Sequence, residues 1–155
     1  MPIPFHSSLM LLPSHEKVLR SYADSIRPIP VAPSKVITAL FLPRNGAALK
    51  VNLDVSPSFK HAIAALDTLP KKGRFGNITL PDWASLKLKS AVRENQREID
   101  AAFPRGKPSN FTYRAGVWLL LAIETVEPGF VSRWVRKCME PTETSTKTAA
   151  RNQLL

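Results

Sequence analysis

Cysteine is nearly absent from this sequence. Cys138 stands alone, so no disulfide forms within the chain and a stapled secreted scaffold is excluded. A reducing compartment, cytoplasm or nucleus, is the expected setting. Acidic residues are also scarce: 12 Asp and Glu against 22 Lys and Arg give a formal charge of +10. Such a surplus draws nucleic acid, anionic lipid or acidic protein, and it bears on association rather than on fold or reaction. Glycine is sparse, with six residues, and "KKGRFGN" offers only Gly73 and Gly76 where a phosphate-cradling loop needs several. The three histidines, His6, His15 and His61, share no ligand spacing with one another or with Cys138, so neither a metal centre nor a cofactor is expected. Long apolar runs are missing too. The longest, Ala115–Ile123, is about half of the ~20 residues that span a bilayer. The opening "MPIPFHSSLMLLPSHEK" lacks a basic leader and is broken by Pro2, Pro4 and Pro13, which reads as an arm and not as a signal peptide.

What remains is a chain of 155 residues, 44% hydrophobic, with fourteen prolines as punctuation. That length builds one core, and the pattern predicts a single compact α+β domain over residues 14–138. The expected flanks are a flexible apolar arm, 1–13, and a flexible polar tail, 139–155. "SHEKVLRSYADSI" reads as a helix capped by Ser14. "KVITALFLPRNGAALKVNLDV" reads as a β-hairpin, Val36–Val55, turning at Asn45 and Gly46, with alternation at Leu49, Val51, Leu53 and Val55. "SPSFKHAIAALDTLP" predicts a helix with Ser56 as N-cap and Pro57 at the first helical position. A short third strand is expected at Ile78–Leu80.

A long amphipathic helix then begins near Asp82 or Ser85, with Leu88, Ala91, Val92, Ile99, Ala102 and Phe103 on one stripe. Tyr113–Val126 is apolar almost all round. Its length and leucine content favour a buried helix over a buried strand, a choice that periodicity does not make. A short final helix follows at "GFVSRWVRKCM". The whole is a hairpin plus a third strand packed on three to five helices.

The chemistry of catalysis is thin. Glu94 and Glu98 share a helix flank with Lys87 and read as ordinary helix-surface charges, and Cys138 has no histidine near it in sequence. His61 falls opposite the Phe59–Ile63–Leu66 stripe, as a surface histidine does. No enzyme is expected. "NFT" at Asn110–Thr112 fits a glycosylation acceptor but lacks the secretory route that would use it.

Binding chemistry is better represented. Lys89, Arg93 and Arg97 stand one turn apart on the long helix, away from Glu94 and Glu98, with Asp100 the one acid on their strip. They form either a ridge of about 12 Å that follows a phosphate backbone or an ordinary solvated face. Arg105 and Lys107 extend the charge past the helix end, and Lys71, Lys72 and Arg74 add a basic loop. Arg133, Arg136 and Lys137 surround Trp134 as a second patch, where the indole either stacks on a base or packs inward on the Phe130–Trp134–Cys138 line. Trp83 and Trp118 are expected in the core or at its edge.

The leading expectation is a small basic protein that binds RNA or another polyanion without sequence selectivity, RNA being the more expected nucleic-acid partner than DNA. The rival is a self-assembling matrix- or capsid-like protein that associates through residues 2–13 and turns its basic surface to a membrane or nucleoprotein. An enzyme acting on a phosphorylated substrate comes third.

Overall fold

A computed structural model describes residues 6–26, 29, 31–42, 50–51, 54, 56–68, 76–103 and 110–139. The class is α+β. Strand β1 (His6–Leu11) precedes helices α1 (Pro13–Ser25), α2 (Pro33–Leu40) and α3 (Pro57–Thr68). Strand β2 (Gly76–Pro81) follows, then α4 (Asp82–Glu94), α5 (Gln96–Ala102), α6 (Phe111–Val126) and α7 (Phe130–Met139).

The sheet joins two distant segments. β1 and β2 pair antiparallel, with Leu9 opposite Ile78 and Leu11 opposite Gly76. Alternation decides its faces: Leu9, Leu11, Ile78 and Leu80 are buried, while Ser8, Met10, Asn77 and Thr79 are exposed. Residues 6–11 are therefore a core strand and not part of a flexible arm. The apolar side chains of "LML" gain more by pairing with the expected strand at Ile78–Leu80 than by remaining in water. Residues 1–5 and the tail beyond Met139 lie outside the described residues.

The expected first strand of the hairpin is instead helix α2. Pro33 starts it, and Val36, Ile37 and Leu40 fall on one buried helical face with Lys35 and Ala39 outside. A strand over the same residues would bury both faces and need a covering layer on each side, which a helix against one core avoids. Thr38 donates its hydroxyl to the Lys35 carbonyl at 3.0 Å, which satisfies the side chain within the helix. The expected turn at Asn45 and Gly46, and most of the second strand at 49–55, lie outside the described residues.

Helix α6 is the axis of the fold. Every residue from Ala115 to Ile123 is buried, as a helix apolar all round requires. Its start is fixed by Asn110, whose side-chain oxygen accepts from the Tyr113 N–H at 2.9 Å, so the asparagine of "NFT" is a helix cap. Around α6 pack α1, α4, α5, α7 and β1. His15 is buried on α1 with its ring over Gly116, where a Cβ would collide with the imidazole. α1 starts at Pro13 after Leu12, with no side-chain cap, so Ser14 lies inside the first turn and not at the cap.

Among the described residues there are seven helices, not three to five. α2 replaces a strand, and the expected long helix divides at Asn95. The Asn95 side chain donates to the Ala91 carbonyl at 2.8 Å, competing with the backbone ladder, and its φ and ψ of −105° and 9° separate α4 from α5. The buried stripe nevertheless runs on through Leu88, Val92, Ile99 and Phe103. α7 turns off α6 by 116° at Gly129, whose φ of 89° suits glycine. The Gly129 N–H donates to Glu124 Oε2 at 2.9 Å, which holds the corner. Among the described residues no single helix is long and apolar enough to cross a membrane.

Candidate polyanion interface

The ridge residues Lys89, Arg93 and Arg97 are all exposed, the first two on α4 and the third on α5. Their positions follow from the stripe beneath them: burying Leu88, Val92 and Ile99 turns the opposite side of both helices outward. Asn95 interrupts the ridge as a straight rod without burying any of the three. Among the described residues no carboxylate pairs with them; the ion pairs that form are Arg20–Glu16 at 3.3 Å and Arg114–Asp100 at 2.7 Å.

That second pair matters to the ridge. Asp100, the acid of the strip, accepts two hydrogen bonds from Arg114 of α6, from Nε at 3.0 Å and from Nη2 at 2.7 Å. The bidentate fork compensates the carboxylate, so the acid of the strip already has a cationic partner outside Lys89, Arg93 and Arg97. The hydrogen bond to Asp100 raises the Arg114 pKa, and the attraction of the carboxylate adds to it against the opposing effect of burial. A pKa raised on folding contributes stability that is fully present below the unfolded value, so the contribution is undiminished across the neutral range.

The outward side of α4 also carries apolar groups. Trp83 is 43% exposed and Leu86 64% exposed, which corrects the expectation that Trp83 lies in the core or at its edge. At about 100° per residue, Leu86 falls close to Arg93 on the wheel and Trp83 lies beyond it on the same side. The signal was present in the sequence: Trp83 stands off the Leu88–Val92 stripe. Trp118, by contrast, is buried at 3% exposure, stacked on Phe41 with ring centres 5.2 Å apart.

The second basic patch is exposed as well. Arg133, Arg136 and Lys137 are exposed, whereas Val131 and Val135 of α7 are buried. Trp134 does not join them on the outside. Its indole N–H donates to Ser21 Oγ at 2.8 Å, so the ring is spent on the α1–α7 junction, beside Tyr22 packed edge-on to Phe130. Cys138 is a free, exposed thiol next to Lys137. The patch is carried by a helix packed mainly on α3 and α6, whereas α4 packs on α6 and the sheet, so the two basic surfaces belong to different parts of the domain. Lys71, Lys72, Arg74, Arg105 and Lys107 lie outside the described residues.

Clefts also open on the described surface, one of about 390 Å³ beside α4 with Lys87, Ser90 and Glu94 at its edge. A further cleft, of about 400 Å³, lies beside α3, where the Tyr113 hydroxyl donates to Asp67 Oδ2 at 3.1 Å above an apolar floor that includes Ile63 and Phe103. Another, of about 380 Å³, runs between α3 and α7. Among the described residues no three His, Cys, Asp or Glu side chains gather to hold a metal ion. No protein family, curated protein or solved structure matches this chain, which leaves its chemistry to be read from its own residues.

Proposed function

We propose that this chain is a small basic domain that binds single-stranded RNA, or a polyanion of similar charge spacing, without sequence selectivity. One observation carries the reading. Three exposed cations without carboxylate partners among the described residues share the outward side of α4 and α5 with an exposed indole, while the acid of their strip is held by Arg114. Cations that follow a backbone and an aromatic ring that accepts a base are the two elements of sequence-tolerant single-strand binding. Lys89, Arg93 and Arg97 contact phosphates, and Trp83 stacks. The basic residues at Lys71, Lys72, Arg74, Arg105 and Lys107 add charge that strengthens association without reading bases.

The test is anisotropy of labelled 12-residue oligouridylate and oligoadenylate against the full chain, each across a salt series. Similar affinities that fall together with salt support the reading, and selectivity of a hundredfold or more for one sequence contradicts it.

A second reading is favoured by the exposed Leu86 beside Trp83. An apolar strip flanked by lysine and arginine also suits an anionic membrane surface. Co-sedimentation with vesicles containing phosphatidylserine separates the two, because the membrane reading requires binding that Leu86→Ser abolishes while RNA binding persists. The assembly reading has less support, since Leu9 and Leu11 of the proposed arm are buried within the chain itself.

A further inference from the structure

The groove between α3 and α7 brings together side chains that are far apart in sequence. From α3 come Ser58 and His61, and from α7 come Ser132 and Arg136. Between them the floor is small and apolar, built from Ala62, Ala65 and Val135. Each of the four polar groups is able to donate a hydrogen bond, and no carboxylate lines the groove. Among the described residues none of the four is engaged in a hydrogen bond or an ion pair through its side chain. Ser132, in the first turn of α7, is half-buried at the groove.

A groove that offers only donors selects an anion with several acceptor oxygens. A guanidinium fork, an imidazole and two hydroxyls suit the tetrahedral oxygens of a phosphate better than the two coplanar oxygens of a carboxylate. Charge continues beyond the groove, with Lys60 next to His61, Arg133 about one turn before Arg136 and Lys137 directly after it, all exposed. The floor itself, Ala62, Ala65 and Val135, offers no polar side chain that would read a base.

We propose that the α3–α7 groove is a second phosphate subsite, in which Arg136 and His61, assisted by Ser58 and Ser132, hold one phosphodiester of the bound strand. The inference rests on the polyanion reading above, and extends it from the α4–α5 ridge to a separate part of the domain.

The experiment uses the full chain and oligouridylate, with amide and side-chain NMR shifts as the local readout. Oligouridylate is expected to shift Ser58, His61 and Ser132. Arg136→Gln should abolish those shifts, lower affinity about fivefold at ~0.1 M salt and reduce the salt slope by about 0.7. Ser132→Ala removes a donor but no charge, so affinity should fall while the slope stays fixed. Lys137→Gln removes an equal charge outside the groove and should leave the three shifts in place. The subsite is overturned if oligouridylate binds and the groove signals stay still, or if Lys137→Gln reproduces the whole effect of Arg136→Gln. If oligouridylate fails to bind at all, the nucleic-acid reading is lost, and inorganic phosphate then judges the groove. Saturable shifts at Ser58, His61 and Ser132 keep it as an anion site, and their absence overturns it as well.

Discussion

Arg114 donates to both carboxylate oxygens of Asp100, at 3.0 and 2.7 Å, and in doing so ties α6 to α5 while compensating the acid of the strip that carries Lys89, Arg93 and Arg97. The two partners therefore have opposite effects on binding although they have similar effects on folding. Asp100→Asn and Arg114→Gln should each cost about 1 kcal/mol of stability, a value held down because the Asp100 side chain is 37% exposed. Oligonucleotide affinity should rise for Asp100→Asn and fall for Arg114→Gln. Urea unfolding and anisotropy on both variants check the pair of signs, and equal shifts of affinity in one direction would contradict the account.

Gly116 makes room for the buried ring of His15. Gly116→Ala forces the imidazole or α1 to move, and overpacking of this kind costs about 1–3 kcal/mol. Thermal unfolding should fall by roughly 2–4 °C per kcal/mol in a chain of this size. Oligonucleotide affinity of the folded fraction should be unchanged, because neither residue lies on the ridge.

β1 is a core element. Leu11 is fully buried opposite Gly76, so Leu11→Ala should cost about 2–5 kcal/mol, and deletion of residues 1–11 should abolish cooperative unfolding. A truncated chain that unfolds cooperatively with an unchanged midpoint would return this segment to the status of an arm.

Much of the fold was legible where a local signal and burial agree. Ser56 and Pro57 begin α3 as expected, with the Phe59 N–H donating to Ser56 Oγ at 3.3 Å, and the stripe from Leu88 to Phe103 faces the core as its spacing predicts. The errors arose where the deciding partner is remote. Residues 33–40 are apolar on more than one periodicity, and only the available core shows that Val36, Ile37 and Leu40 serve as one helical face. The strand at His6–Leu11 is too short to announce itself and acquires its role from β2. At the candidate site the exposed cations of α4, α5 and α7 could be read from the wheel. The Arg114–Asp100 fork and the placing of His61 and Arg136 on one groove could not, because each depends on helices whose contact no sequence spacing encodes.

Trp134 distinguishes a structural aromatic from a binding one. Its indole N–H bonds to Ser21, so Trp134→Phe should cost about 1 kcal/mol and leave oligonucleotide affinity within about twofold. Trp83→Ala should do the reverse, with little effect on stability and a loss of affinity on the order of 1–3 kcal/mol from lost stacking. Anisotropy and thermal unfolding on both variants check the contrast.

The measurement that bears most directly on the central claim is the salt dependence of oligouridylate binding by the triple variant Lys89→Ala, Arg93→Ala, Arg97→Ala. All three side chains are exposed and lie off the buried stripe, so the variant should fold with a nearly unchanged unfolding midpoint. If each cation neutralises one phosphate, the slope of log affinity against log salt should weaken by about 0.7 per contact, roughly two units in all. A folded triple variant with the affinity and salt slope of the parent chain would contradict the claim and leave the ridge as a solvated helix face.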